Sequence, residues 1–175
     1  MKLKNILTLS SIFFANMAMA ADWTPVFKSF ENGCADSKIL TTMIDQNIWN
    51  RNTTSPQNFV RTTALKGQFP TVALPYKNDM QPVQSKLSQQ GERYIEVTVP
   101  LKNATYYGVP LKAFTVYSGT DSGLAGRSLV FAALNASQLQ RLKQIKFKAE
   151  TEMGFKAELM KNDRKETILL CDVSM

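Results

Sequence analysis

Cys34 and Cys171 are the two thiols of a chain that contains no histidine. A histidine-free chain has no Ser-His or Cys-His nucleophile pair and lacks the commonest zinc ligand. It also lacks the side chain that most often moves protons near neutral pH. The chemistry left is carboxylate or Ser-Lys catalysis, disulfide formation and non-covalent binding. Neither cysteine sits in a Cys-x-x-Cys motif, so a structural Cys34–Cys171 disulfide is expected rather than a redox centre. In the chain-entropy account, a loop that long stabilises a fold by on the order of 4–5 kcal/mol.

A disulfide needs an oxidising compartment, and residues 1–20 read as the address that leads there. Lys2 and Lys4 form a basic head, Ile6 to Phe14 a mostly apolar run, and Ala18-Met19-Ala20 a small-x-small cleavage pattern. The run is about nine residues, short of the ~20 that span a bilayer. We expect a cleaved export signal over 1–20 and a single folded domain over 21–175. The mature protein is expected in the periplasm, or secreted, without a transmembrane anchor. The signal carries Lys2 and Lys4 and no acid, so the net charge of +7 falls to +5 over 21–175. That excess is scattered. Its densest stretch, Arg141 to Lys148, is interleaved with Leu142, Ile145 and Phe147, as on the solvated side of a helix and strand. No nucleic-acid module is present, and exported proteins rarely meet nucleic acid. Anionic lipid, wall polymer or another envelope or secreted protein fits the charge.

The loop from Ser118 to Gly126 contains three of the eight glycines and could present bare backbone amides to a carboxylate, phosphate or peptide carbonyl. Its Asp121-Ser122-Gly123 triplet occurs in aspartic proteases, but those enzymes pair two such carboxylates and this chain has no second copy. The spacing also departs from Gly-x-Ser-x-Gly, and no histidine is available to activate Ser122. Gly119, Asp121, Ser122 and Gly123 are therefore candidates for partner binding, with a plain hairpin loop as the alternative. Phe69, Tyr76, Tyr106 and Tyr107 are the aromatic candidates for a partner surface, although packing is the ordinary role of strand tyrosines. Trp49, at a helix end before a polar stretch, is open to both readings. Glu150 and Glu152, flanked by Lys148 and Lys156, read as a solvated charge ladder rather than a metal or acid–base pair. No metal and no cofactor is expected.

Elements to hold these residues follow from periodicity. Trp23, Val26, Phe27 and Phe30 recur at helical spacing, and Asn32-Gly33 ends that helix. Ser37 can cap a second helix bearing Ile39, Leu40, Met43, Ile44 and Ile48, ending near Asn50. Residues 51–91 are polar and loop-rich. Within them, Ser55-Pro56 could open a short helix, and Thr71 to Leu74 reads as a short edge strand or extended segment. Strands follow at Tyr94 to Val99, Tyr106 to Tyr117 and Ser128 to Ala133, then a helix capped by Asn135 or Ser137 with Leu139, Leu142 and Ile145 on one side. Phe147 to Leu159 alternates apolar and polar residues like a long strand, with Gly154 as a bulge. Asn162-Asp163-Arg164 turns into a last strand, Glu166 to Val173. The expected fold is α+β: a mainly antiparallel sheet in the C-terminal half, N-terminal helices and one later helix packed on it, and the ends tied by the disulfide.

This pattern favours an exported, non-enzymatic binding protein of inhibitor or immunity type that neutralises a protein partner. The alternatives are an extracellular structural or adhesive subunit, and a histidine-free cell-wall hydrolase using Asp121. The C-terminal residues, Leu170 to Met175, lack the aromatic near the end that chaperone-assembled pilus subunits usually carry.

Overall fold

The computed structural model describes residues 20–50, 53, 58–88, 93–120 and 122–175. The expected export signal up to Met19, the Ser55-Pro56 helix start and Asp121 lie outside the described residues. Trp23, Val26, Phe27 and Phe30 are all buried, on a short helix α1 (Thr24–Phe27) that runs into a 3-10 turn (Lys28–Glu31). The backbone then reverses through Gly33 and Cys34, both at positive φ. Ser37 caps helix α2 (Lys38–Met43), its hydroxyl accepting from the Leu40 amide at 3.1 Å. A π turn (Ile44–Ile48) continues it. Leu40, Met43, Ile44 and Ile48 face the core as expected. Ile39 does not: it sits about 100° round the helix from Leu40 and is exposed.

Among the described residues seven strands form one sheet: β1 (Ala21–Asp22), β2 (Gln84–Ser88), β3 (Tyr94–Tyr106), β4 (Val109–Gly119), β5 (Ala125–Phe131), β6 (Glu158–Lys161) and β7 (Thr167–Asp172). Their order is β1-β3-β4-β5-β7-β6, with β2 also on β3, and all pairs except β1–β3 are antiparallel. Period-two alternation puts Ile95, Val97, Val99, Phe114, Val116, Leu129 and Leu169 on one buried face. The helical layer docks there, with the Phe114 ring against Trp23 and Phe27. Short helices α3 (Thr62–Leu65) and α4 (Tyr76–Asp79) belong to the polar stretch, and α5 (Ala136–Lys143) follows β5. Asn135 caps α5 in a capping box with Gln138. The fold is the expected α+β arrangement, and Cys34 is bonded to Cys171 with Cα atoms 5.4 Å apart.

Three expected strands are redrawn. Tyr106 ends β3 rather than starting the next strand, because Tyr107 and Gly108 both take positive φ and make the two-residue turn into β4. Thr71 to Leu74 is not a strand. The buried Asn47 amide donates to Thr71 Oγ1 at 2.7 Å and accepts from the Thr71 N–H at 3.2 Å, holding that stretch as a loop ahead of a cis Leu74–Pro75 bond. The edge partner of β3 is instead the polar β2, which lacks any apolar alternation to announce it. Of the alternating Phe147 to Leu159 run, only Glu158 and Leu159 lie in a strand, the start of β6. Glu150 is no rung of a charge ladder. Its carboxylate accepts from the Glu152 and Met153 amides, and its N–H donates to the Phe155 carbonyl at 2.8 Å. Those bonds favour the charged carboxylate and hold it below the usual glutamate range. Local turn chemistry at Glu150 to Gly154 outcompetes the strand pattern and folds the run into an arm.

Candidate binding cleft

The alternating pattern that buries Val116 also carries Ser118 to the end of β4, opposite Ala125 on β5. Val173, just beyond β7, donates its N–H to the Ala125 carbonyl at 2.9 Å and widens this end of the sheet. Above it stands the neck that follows the π turn. Trp49 bridges Val60, the Asn50 N–H donates to the Phe59 carbonyl at 2.7 Å, and the Arg61 N–H donates to the Ile48 carbonyl at 2.8 Å. Between neck and sheet lies a cleft of about 460 Å³. Trp49, Asn50, Thr53 and Phe59 form one wall, and Val116, Ser118, Ala125, Arg127 and Val173 contribute to the other. The volume falls within the range of about 300–1,000 Å³ common for ligand pockets, and the apolar lining with a few polar groups suits one.

Electrostatically the cleft is nearly neutral. Arg127 forms an ion pair with Asp36, each side chain being about one-fifth exposed. Burial pushes the Asp36 carboxyl above its ordinary range, and the Arg127 guanidinium pulls against that. The pair fastens the link between α1 and α2 to β5 two residues after the disulfide. On the opposite face of β4, the Tyr117 hydroxyl is pushed well above its usual value by burial and then by the Asp172 carboxylate. Its ring crosses β5 at Gly126, where an added Cβ would come within 2.1 Å of the hydroxyl oxygen. Gly126 is therefore glycine for packing reasons, not as a bare anion cradle.

The sequence candidates scatter. Gly119 ends β4, and Ser122 and Gly123 precede β5; none of the three lines the cleft, to which the predicted glycine loop gives only Ser118, Ala125 and Gly126. A Cβ on Gly123 would collide with the Met175 carbonyl oxygen at 2.3 Å. Phe69 and Tyr106 are fully buried in the core. Tyr76 stacks edge-on against Trp23, 5.1 Å between centroids. Tyr107 donates its hydroxyl hydrogen to Glu31, and burial together with that bond pushes its pKa up to about 12. None of these four aromatics lines the cleft. Sequence reasoning missed Phe59, Arg127 and Val173, which only strand pairing brings beside Trp49. Trp49 itself was visible as an aromatic stranded at a helix end.

Among the described residues no cluster of three or more Cys, Asp or Glu side chains could hold a metal. No described helix is long and apolar enough to cross a membrane. Comparison of the chain with protein-family models, with curated proteins and with solved structures gives no match.

Proposed function

We propose that the protein is exported to the periplasm, or secreted, and acts there as a non-enzymatic binding protein of inhibitor or immunity type. Its partner inserts an apolar side chain into the cleft beneath Trp49 and Phe59. The observation that carries this reading is the cleft itself: two aromatic side chains over an apolar floor, with its one described ion pair already neutralised internally. Such a lining rewards burial of apolar area, which suits recognition of an apolar side chain. The disulfide supports a destination outside the reducing cytoplasm.

Affinity capture from the cell envelope, with the protein purified after export, tests the proposal. A stoichiometric protein partner that is retained by wild type and lost by Trp49→Ala and Phe59→Ala is the expected result. Capture unchanged by both substitutions would overturn the cleft as the site. Turnover of wall polymer by wild type would overturn the non-enzymatic reading.

A further inference from the structure

The arm that replaced the expected long strand leaves an open slot beside the β6 edge of the sheet. Residues 145–148 and 156–159 run along its two sides and enclose about 720 Å³ between them. The first side is anchored outward: the Lys148 N–H donates to the Glu31 carbonyl at 2.8 Å, and the Lys148 carbonyl accepts from the Gly33 N–H at 2.9 Å. In an extended chain successive residues point their N–H and C=O groups to opposite edges. Phe147 therefore aims its own into the slot, and beyond it the Glu150 N–H crosses to the Phe155 carbonyl at 2.8 Å and closes that end of the arm. On the second side, the Asn162 N–H donates to the Glu166 carbonyl and sets the phase of the β6–β7 ladder. Glu158 and Met160 bond to β7, so Ala157 and Leu159 turn their backbone groups toward the slot. The amides of Phe147 and Ala157 make no hydrogen bond to any described residue.

The side chains sort by face. Ile145, Phe147 and Leu159 pack against the core, and Ala157 is buried, so the slot has an apolar floor. Lys146, Lys148 and Lys156 are exposed along its rim, against the single acid Glu158. The open edge of β6, facing an extended segment with an unused amide at Phe147, can take up an added strand. The floor and the lysine rim define its side chains. We propose that this slot accepts an extended segment of a partner protein, alternating apolar and acidic residues, as an added strand between the arm and β6. This inference rests on the protein being a binder of proteins, but not on the cleft beneath Trp49.

The probe is a synthetic peptide alternating valine and glutamate, with its valine–lysine counterpart as control. Amide hydrogen exchange and NMR titration of the full exported protein should show the valine–glutamate peptide protecting Phe147, Ala157 and Leu159. Charge reversal of Lys146, Lys148 and Lys156 to glutamate should weaken binding by about tenfold, the size three partly exposed ion pairs support, and high salt should do the same. These exposed substitutions leave the core intact, and Trp49→Ala should not affect the titration, which separates failure here from failure at the cleft. Equal binding of both peptides would overturn the proposal, as would binding without protection of those amides. Protection of the same amides by self-association, without peptide, would overturn it in favour of a second copy of the chain.

Discussion

At the residue scale, two buried polar groups show how differently the core treats its exceptions. The Tyr106 hydroxyl is fully buried and finds no hydrogen-bond partner among the described residues. Desolvation pushes its pKa far above the ordinary tyrosine value. A polar atom left unpaired costs free energy that a hydrogen atom in its place would not. Tyr106→Phe should therefore leave stability unchanged or raise it by up to about 1 kcal/mol, whereas Tyr106→Ala should cost about 3–5 kcal/mol through its cavity; denaturant midpoints decide both. Asp79 is the satisfied counterpart, accepting from Trp23 Nε1 at 3.0 Å. Burial nonetheless raises its pKa above the ordinary aspartate value, with the Trp23 bond and Lys102 opposing. A carboxyl with a raised folded pKa favours the fold most below its unfolded pKa and loses that contribution as pH rises through the folded value. Asp79→Asn keeps an acceptor for Trp23 and removes the titration. The Tm of wild type relative to this variant should fall between about pH 4 and neutrality. A difference that is flat or rises would overturn the assignment.

At the scale of elements, the link from Asn32 to Asp36 holds more together than its length implies. Asn32 bridges Lys148, Gly33 donates to the Lys148 carbonyl, Cys34 bonds Cys171, and Asp36 pairs with Arg127. Gly33 meets two demands at once. Its φ is +63°, and an added Cβ would lie 2.4 Å from Glu150 Cβ. Gly33→Ala should cost more than about 2 kcal/mol, combining left-handed strain with a backbone-level collision. Hydrogen exchange should accelerate first in the arm from Lys148 to Phe155, ahead of global unfolding. Uniform acceleration across the sheet would show that the arm is not held by this contact. The helices were legible at this scale because Ser37 and Asn135 carry capping chemistry and the core faces repeat at helical spacing. The arm was not, since alternation reports where side chains could point and says nothing of a carboxylate competing for turn amides.

At the scale of the molecule, the disulfide ties the helical layer to β7, the strand next to the β6 edge, across a separation of 137 residues. It lies between the two surfaces proposed for binding: Asp36 and Arg127 lead to the cleft, and Gly33 and Lys148 to the slot. Removing it as Cys34→Ser with Cys171→Ser should cost up to about 4–5 kcal/mol, because the unfolded chain regains a very long loop. Thermal unfolding of the double variant measures this, and the same variant should expose the Gly33 and Lys148 amides to exchange. An unchanged Tm would overturn a structural role for the bridge. The segment around Thr62 to Ser88 shows the other side of the molecular plan. Met80 bridges Leu101, the Gln81 N–H donates to the Pro100 carbonyl, and β2 pairs the start of β3. The polar stretch, whose expected edge strand was Thr71 to Leu74, covers the edge of β3 with β2 instead.

The sequence by itself determined the class of fold, the cysteine pairing and the exclusion of histidine chemistry. Each follows from local or countable properties: apolar spacing, capping residues, and two thiols with one way to pair. Tertiary structure decided the rest. Arg127 reaches Asp36, and Phe59 reaches Trp49, because antiparallel register brings distant residues together, and register is a property of paired strands rather than of either strand alone. The same pairing filled the edge of β3 with an unremarkable polar strand. It also left the edge of β6 open, so a run that alternates like a strand became one wall of a slot.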